Sequence, residues 1–383
     1  MTRAASILRK TAIVVALALW TLVFGEIFLR VAAPQALMPR YVTGTPYGIR
    51  GNVPGAVYRH DTPDVNVEYR INRQGMRDDR VFAEAKPAGT CRIAMLGDSY
   101  FVGYELDLRD TIARRIEEGL RARGYRVEVL NFAVSGFGTA ENLIAYRKAA
   151  RRFRPDLVLM QWQVTDYDDN VRSGLFALKD GALVQINDRF LPGVATQDRL
   201  MKSALYRLLA DHSHLYNFAR EAIGWRAKQL LAFVRKRQAG PAGGAEVEQN
   251  SYMISPAQVR LAAALLAEAK AEVERDGARM MVVDIPNRTP ERVFSSSYDL
   301  MPAELKRALP PVSALALFRA AMKRGEGPLF YPHGARHLTP EGAALLSGET
   351  IRRIEASGAL AGCHGRAGQT VQAGLATIPR TGV

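Results

Sequence analysis

Residues 91–106 read CRIAMLGDSYFVGYEL, an apolar run from Arg92 to Leu96 that ends in Gly97-Asp98-Ser99 and passes into a helix-compatible segment. A short apolar run closed by a glycine reads as a buried strand. A serine at the point where strand gives way to helix has two possible jobs: it caps the helix with its side-chain oxygen, or it carries a nucleophile. Which job falls to Ser99 depends on what the rest of the chain brings to the same edge of the sheet.

Working outward, the pattern of Arg92–Leu96 recurs. RVEVLNF (Arg126–Phe132), PDLVLMQW (Pro155–Trp162) and RMMVVDI (Arg279–Ile285) are further apolar runs, separated by segments of helical pattern such as Asp110–Arg123 and the stretch beginning near Thr139. The last run is led by a helix with Ser255 as cap, Pro256 in its first turn and Gln258 completing a capping box. Strands alternating with helices predict an α/β fold, a doubly wound parallel sheet with helices on both faces. Upstream, the alternation of Val65, Val67, Tyr69 and Ile71 predicts an edge hairpin. Between the third and fourth strands, residues 171–250 form an insertion holding the helical stretch LYNFAREAIGWRAKQLLAFVRKR and the glycine-rich QAGPAGGAEVEQN. Its apolar positions pack on the domain, cover the active-site side as a lid, or face a membrane.

The amino terminus sets the compartment. Arg3, Arg9 and Lys10 precede TAIVVALALWTLVFGEIFLRV, which is apolar from Thr11 to Val31 except for Glu26 and Arg30. That length is close to a membrane span, and basic residues ahead of it favour a cytoplasmic start. A cleaved signal peptide is the rival reading, with Val23-Phe24-Gly25 as the cleavage region. The organisation expected is a cytoplasmic terminus (1–10), a single membrane anchor (11–31), a connector with the hairpin (32–88), a main α/β domain (89–360) on the periplasmic or extracellular side of the cell membrane, and a tail (361–383). Export permits a disulfide, but two cysteines as far apart as Cys91 and Cys363 do not demonstrate one, and two unpaired thiols are expected.

Composition narrows the partners. The 383 residues carry a formal charge of +14, much of it in runs such as Arg147–Arg154 and Arg235-Lys236-Arg237. No aromatic residues interleave with these runs as a nucleic-acid platform requires, so nucleic acid is set aside and an arginine-rich solvated surface expected. His333 with His337, and His212 with His214, lack a third ligand at recognisable spacing, so neither a metal nor a cofactor is expected.

Four loops at the carboxyl ends of the strands, where ligands sit in such a sheet, carry residues that belong together: Gly97-Asp98-Ser99, NFAVSGFGT (Asn131–Thr139), QVTDYDDN (Gln163–Asn170) and HGARHLTPEG, in which His337 precedes the helix cap Thr339. A serine hydroxyl needs a base to remove its proton, and His337 is the histidine placed at a suitable strand-to-helix junction. There is no G-x-S-x-G, which excludes a nucleophile elbow.

In this order the motifs resemble the SGNH hydrolase superfamily, also called GDSL esterases and lipases, over about Arg92 to Glu355. INRQGMRDD ahead of the core looks like the leader of a membrane-anchored variant of that family. The resemblance implies a flavodoxin-like three-layer fold and a serine esterase or O-acyltransferase acting on an O-acylated carbohydrate or similar small ester. Its nucleophile would be Ser99 and its base His337, with the Ser99 and Gly136 N–H groups and a third-loop side chain, here Thr165, as oxyanion donors. The chain departs from the family at Thr165-Asp166, where Asn-Asp is expected, and at Gly334 and Ala335, where an aspartate should precede the histidine. Asp284, at the end of the fourth strand, is the candidate replacement for that carboxylate, and Asn170 for the missing amide. An impaired homologue that binds polysaccharide or an envelope partner is the alternative, and a lipase or thioesterase of the same fold a third reading.

Overall fold

The computed structural model of the chain describes residues 3–37, 42–224, 226, 247–249, 252–288, 294–333 and 337–364. Gly334, Ala335, Arg235-Lys236-Arg237, most of QAGPAGGAEVEQN and most of the tail lie outside these. Helix α1 (Arg3–Ala32) is, by length and composition, able to cross a membrane over Ala5–Ala32. A hairpin of β1 (Val57–Asp61) and β2 (Asn66–Arg70) follows. The core then runs β3 (Cys91–Leu96), α2 (Ser99–Val102), α3 (Ile112–Arg121), β4 (Val127–Asn131), α4 (Thr139–Ala145), β5 (Leu157–Trp162) and α5 (Asp166–Ser173). After α6 (Val194–Met201), α7 (Ala204–His212) and a helical segment over 214–224 come α8 (Pro256–Arg275), β6 (Arg279–Asp284), β7 (Val312–Ser313), α9 (Leu315–Lys323) and α10 (Pro340–Ser357).

The five core strands form one parallel sheet in the order β7-β6-β5-β3-β4. Both faces are covered, which is why the strands read as unbroken apolar runs: all six residues of β3 and of β5 are buried. Alternate residues serve opposite layers. Ile93, Met95, Leu157 and Leu159 pack with Ile116 of α3 and Leu346 and Ile351 of α10. Ala94, Leu96, Val158 and Met160 pack with Leu143 of α4 and Leu265 and Leu266 of α8. The strand order reverses between β3 and β5, so the loops after these strands diverge and leave a crevice at their carboxyl ends. Ser99 starts at that point.

Several local expectations meet their structure. Ser255 Oγ accepts from Gln258 N at 3.3 Å and Gln258 Oε1 from Ser255 N at 2.8 Å, the reciprocal capping box of α8. Thr339 caps α10, with Pro340 in its first turn. The hairpin forms as a separate two-stranded sheet and not at an edge of the main one, with Val67 and Tyr69 turned inward. The insertion opens with a small hairpin of its own, Phe176–Lys179 with Ala182–Gln185, before its helices. Much of the basic run after α4 is paired within the domain: Arg147 with Glu272 at 2.5 Å and Arg151 with Asp276 at 2.6 Å, both tying it to the α8 end.

The expectation of two free thiols is corrected. Cys91 and Cys363 form a disulfide, with Cα atoms 5.7 Å apart and a sequence separation of 272. The chain after α10 returns to the start of the sheet, pairing antiparallel with the lead-in to β4 where Arg126 N donates to Cys363 O at 2.9 Å, and this return is invisible in sequence spacing. The bond closes nearly the whole domain into one loop at the end of the sheet opposite Ser99. Changing both cysteines to serine should lower stability by about 2–5 kcal/mol. Chemical unfolding without reductant measures this, and equal midpoints for variant and wild type would contradict it.

Candidate active site

The turn after β3 does most of the positioning. Asp98 is the cap of the short helix α2, its Oδ1 accepting from Tyr100 N at 2.9 Å. Capping therefore falls to Asp98 and leaves the Ser99 side chain available. Ser99 Oγ lies 2.7 Å from His337 Nε2. The helix lasts one turn: Gly103 ends it at φ +77, and Tyr104 N donates back to Ser99 O at 3.0 Å. This tight reversal brings Glu105 around behind the histidine. Glu105 is fully buried and sits at φ +64, a left-handed conformation that costs a non-glycine residue energy and is held by its surroundings. Its Oε2 accepts from the His337 backbone N–H at 3.2 Å and lies 3.4 Å from His337 Nδ1.

The Ser99 hydroxyl, the imidazole and the carboxylate are thus in register, with the imidazole between the other two. In this arrangement Nε2 can take the serine proton while the carboxylate fixes the ring through Nδ1. The ring is held from the sides as well. Tyr100 and Tyr104 stand 4.9 Å and 5.2 Å from it by ring centroids, and His60 of β1 backs Tyr104 at 4.3 Å. Burial, aided by Arg77, holds the His60 imidazole down to about 3, so His60 itself is neutral at neutral pH.

The neighbouring loops are knitted to the turn. Asn131, at the end of β4, donates through Nδ2 to Phe101 O at 2.7 Å, and Val134 N donates to Gly97 O at 3.1 Å. From the end of β5, Gln161 Oε1 accepts from Asp98 N at 3.2 Å and Phe101 N at 3.0 Å, and from the third loop Gln163 Nε2 reaches Asp98 Oδ2 at 3.1 Å. Thr165 sits beside this contact, its hydroxyl accepting from the same Gln163 amide. Gly136 adopts φ +79, and its carbonyl takes a bond from Arg50 Nη2 at 2.9 Å; a Cβ there would lie 3.3 Å from that guanidinium. Asn170 is used elsewhere: its Oδ1 accepts from Ala140 N at 2.9 Å, linking α5 to the start of α4. His333 is exposed and pairs with Asp64 at 2.9 Å.

The loops also bury acids. Burial pushes the Asp98 carboxyl up against the hydrogen bonds it accepts, and Asp166 well up through burial and the charge of Asp98. Burial likewise lifts Glu141 to about 7; it accepts from Gly138 N at 2.9 Å and faces Arg50 at 3.7 Å.

Comparison with known proteins comes to little in sequence: no family model matches the chain, and no curated protein matches it. Solved structures are similar at low identity. A lipase/acylhydrolase from Enterococcus faecalis is 15% identical, with a TM-score of 0.36, covering 70% of this chain and 96% of that one. A GDSL-like lipase from Bacteroides thetaiotaomicron is 11% identical, with a TM-score of 0.35, covering 72% and 93%. The acetyl xylan esterase AlAXEase is 9% identical, with a TM-score of 0.38, covering 69% and 100%.

The expected role of Asp284 is corrected by these distances. The carboxylate at His337 Nδ1 is Glu105, whereas Asp284, fully buried at the end of β6, accepts from Ser313 Oγ of β7 at 3.2 Å. Its place at a strand end made it a candidate; its side chain serves the β6–β7 pair instead. Glu105 was missed because an acid in a short loop has no periodicity, although Gly103 just before it signals the reversal. Burial lifts the Asp284 carboxyl to about 7. The folded state then keeps a proton that the unfolded chain has released, so stability is present at low pH and lost as pH rises through that value. Wild type should therefore lose more stability than Asp284→Asn between about pH 5 and pH 8, read from unfolding midpoints at both; parallel losses would refute the assignment.

Proposed function

We propose that the chain is a membrane-anchored, exported serine esterase or O-acyltransferase of SGNH type, acting on an O-acylated carbohydrate or a similar small ester. The observation that carries the reading is the 2.7 Å approach of Ser99 Oγ to His337 Nε2, with Glu105 behind the ring. Ser99 Oγ attacks the ester carbonyl carbon as its proton passes to Nε2. The oxyanion of the tetrahedral intermediate is met by the N–H groups of Ser99 and Gly136, with the Thr165 hydroxyl as the side-chain donor. Collapse breaks the bond to the alkoxy oxygen, which leaves with the proton from Nε2. The acyl group, now on Ser99, passes to water or to a sugar hydroxyl by the same steps in reverse, with Nε2 first taking the acceptor's proton.

Two departures favour an impaired, purely binding homologue, Thr165 in place of an asparagine and the lack of an aspartate just before His337, and Glu105 behind the ring supports activity against the second. Export rests on α1 and on the basic residues ahead of its apolar stretch.

A phosphonate probe should label the full chain at Ser99, and a small activated acetate ester should turn over. Ser99→Ala should abolish labelling and cut turnover by at least about 10³-fold without loss of stability, because Asp98 does the capping. Labelling at another residue, or none with intact folding, would refute the proposal and leave a binding role.

A further inference from the structure

The uncharged part of α1 runs from Thr11 to Gly25, between Lys10 and Glu26. At ~1.5 Å per residue that stretch is roughly 22 Å long, short of the ~30 Å hydrocarbon core of a bilayer. A helix seated across a membrane therefore carries Glu26 at the hydrocarbon boundary, where an unpaired carboxylate is costly. Its partners come from the insertion. Ser213 Oγ donates to Glu26 Oε2 at 2.8 Å, His214 N to Oε1 at 3.0 Å and Leu215 N to Oε2 at 2.9 Å. Arg30 Nη2 pairs with Glu26 Oε1 at 2.9 Å and also donates to His212 O at 2.7 Å, and Gln35 N donates to His214 Nδ1 at 2.9 Å. The carboxylate of α1 thus caps the helical segment 214–224, satisfying N–H groups at its start that have no partner within the helix. The approach is close, since a Cβ on Gly25 would lie 3.5 Å from Leu215 Cδ2.

Residues 212–215 are thereby fixed at the depth of Glu26. The elements around them expose large apolar side chains: Leu200, Leu205, Leu208, Phe218 and Ile223 are between 41% and 66% exposed. Leu205 and Leu208, three apart on α7, share a face. Arg199, Lys202 and Arg207 are exposed among them, as suits lipid phosphates. The Trp20, Phe24 and Phe28 side chains of α1 are exposed to a similar degree, and the insertion that carries these apolar side chains is docked on α1 at Glu26.

We infer that residues 194–224 form an interfacial membrane element, with Leu205, Leu208 and Phe218 in the lipid beside α1. The inference rests on the proposal that α1 spans a membrane, and its occupant is lipid because residues 213–215 of the same insertion dock on Glu26, at the end of the apolar stretch of α1. The hydrolase domain is then seated at the bilayer surface by its own insertion and is not a free body on a tether.

The test uses the full chain in vesicles of phosphatidylcholine and phosphatidylglycerol. Because the native cysteines are paired, Leu208→Cys, Leu205→Cys or Leu22→Cys each supplies a single thiol for a polarity-sensitive fluorophore. Labels at 22, 205 and 208 should all lose most of their emission to spin-labelled lipid, those at 205 and 208 more to a label near the headgroup than to one deep in the chain, and little to aqueous iodide. Quenching of 205 and 208 by iodide alone, with 22 quenched by lipid, overturns the inference and leaves the anchor standing. A label at 22 that lipid does not reach overturns both. Labels at 205 and 208 protected from both quenchers would mean that protein, a second copy or another partner, covers the patch, which overturns the assignment to lipid.

Discussion

The contact between Ser99 Oγ and His337 Nε2 joins residues 238 apart in sequence, and much of the architecture serves to hold it. One partner rides on the first core strand, the other on the lead-in to the last helix, so neither can be placed by local structure alone. The parallel sheet brings them to the same edge, because its order reverses beside β3 and opens the crevice there. From the opposite end, the disulfide between Cys91 and Cys363 ties the same first strand to the chain after the same last helix. The two elements that carry Ser99 and His337 are thus fastened to each other at both ends.

The short helix after β3 shows how few residues such a site needs. Asp98 caps it, Ser99 opens it, Gly103 ends it and Glu105 returns beneath His337, all within one reversal of the chain. The cost of the arrangement is visible in the left-handed Glu105 and in the buried Asp98, whose carboxyl is anchored by Tyr100 N and the amides of Gln161 and Gln163. Strain and buried polarity collect where geometry matters most.

The legible parts of the sequence were those with a local physical signature. Apolar runs showed four of the five strands, and Ser255-Pro256 with Gln258 and Thr339-Pro340 showed two helix starts. β7, only Val312–Ser313, is too short to carry a pattern. Ser99 and His337 could be matched because each sits at a strand or helix boundary with recognisable neighbours. Glu105, the disulfide and the seat of Glu26 could not, since each depends on chain segments meeting in space: a reversal at Gly103, the return of the chain to β3, and the docking of residues 213–215 on α1. Asp284 illustrates the converse, a residue in the right place along its strand whose side chain answers to Ser313.

The central claim is that the proposed triad takes its carboxylate, Glu105, from the turn that carries Ser99. Turnover of an activated acetate ester by Glu105→Gln and by Asp284→Asn, each checked for folding, tests it most directly. Glu105→Gln should fall by about 10² to 10⁴-fold while Asp284→Asn stays close to wild type. A Glu105→Gln enzyme that keeps its rate, or an Asp284→Asn enzyme that loses it instead, would contradict the account.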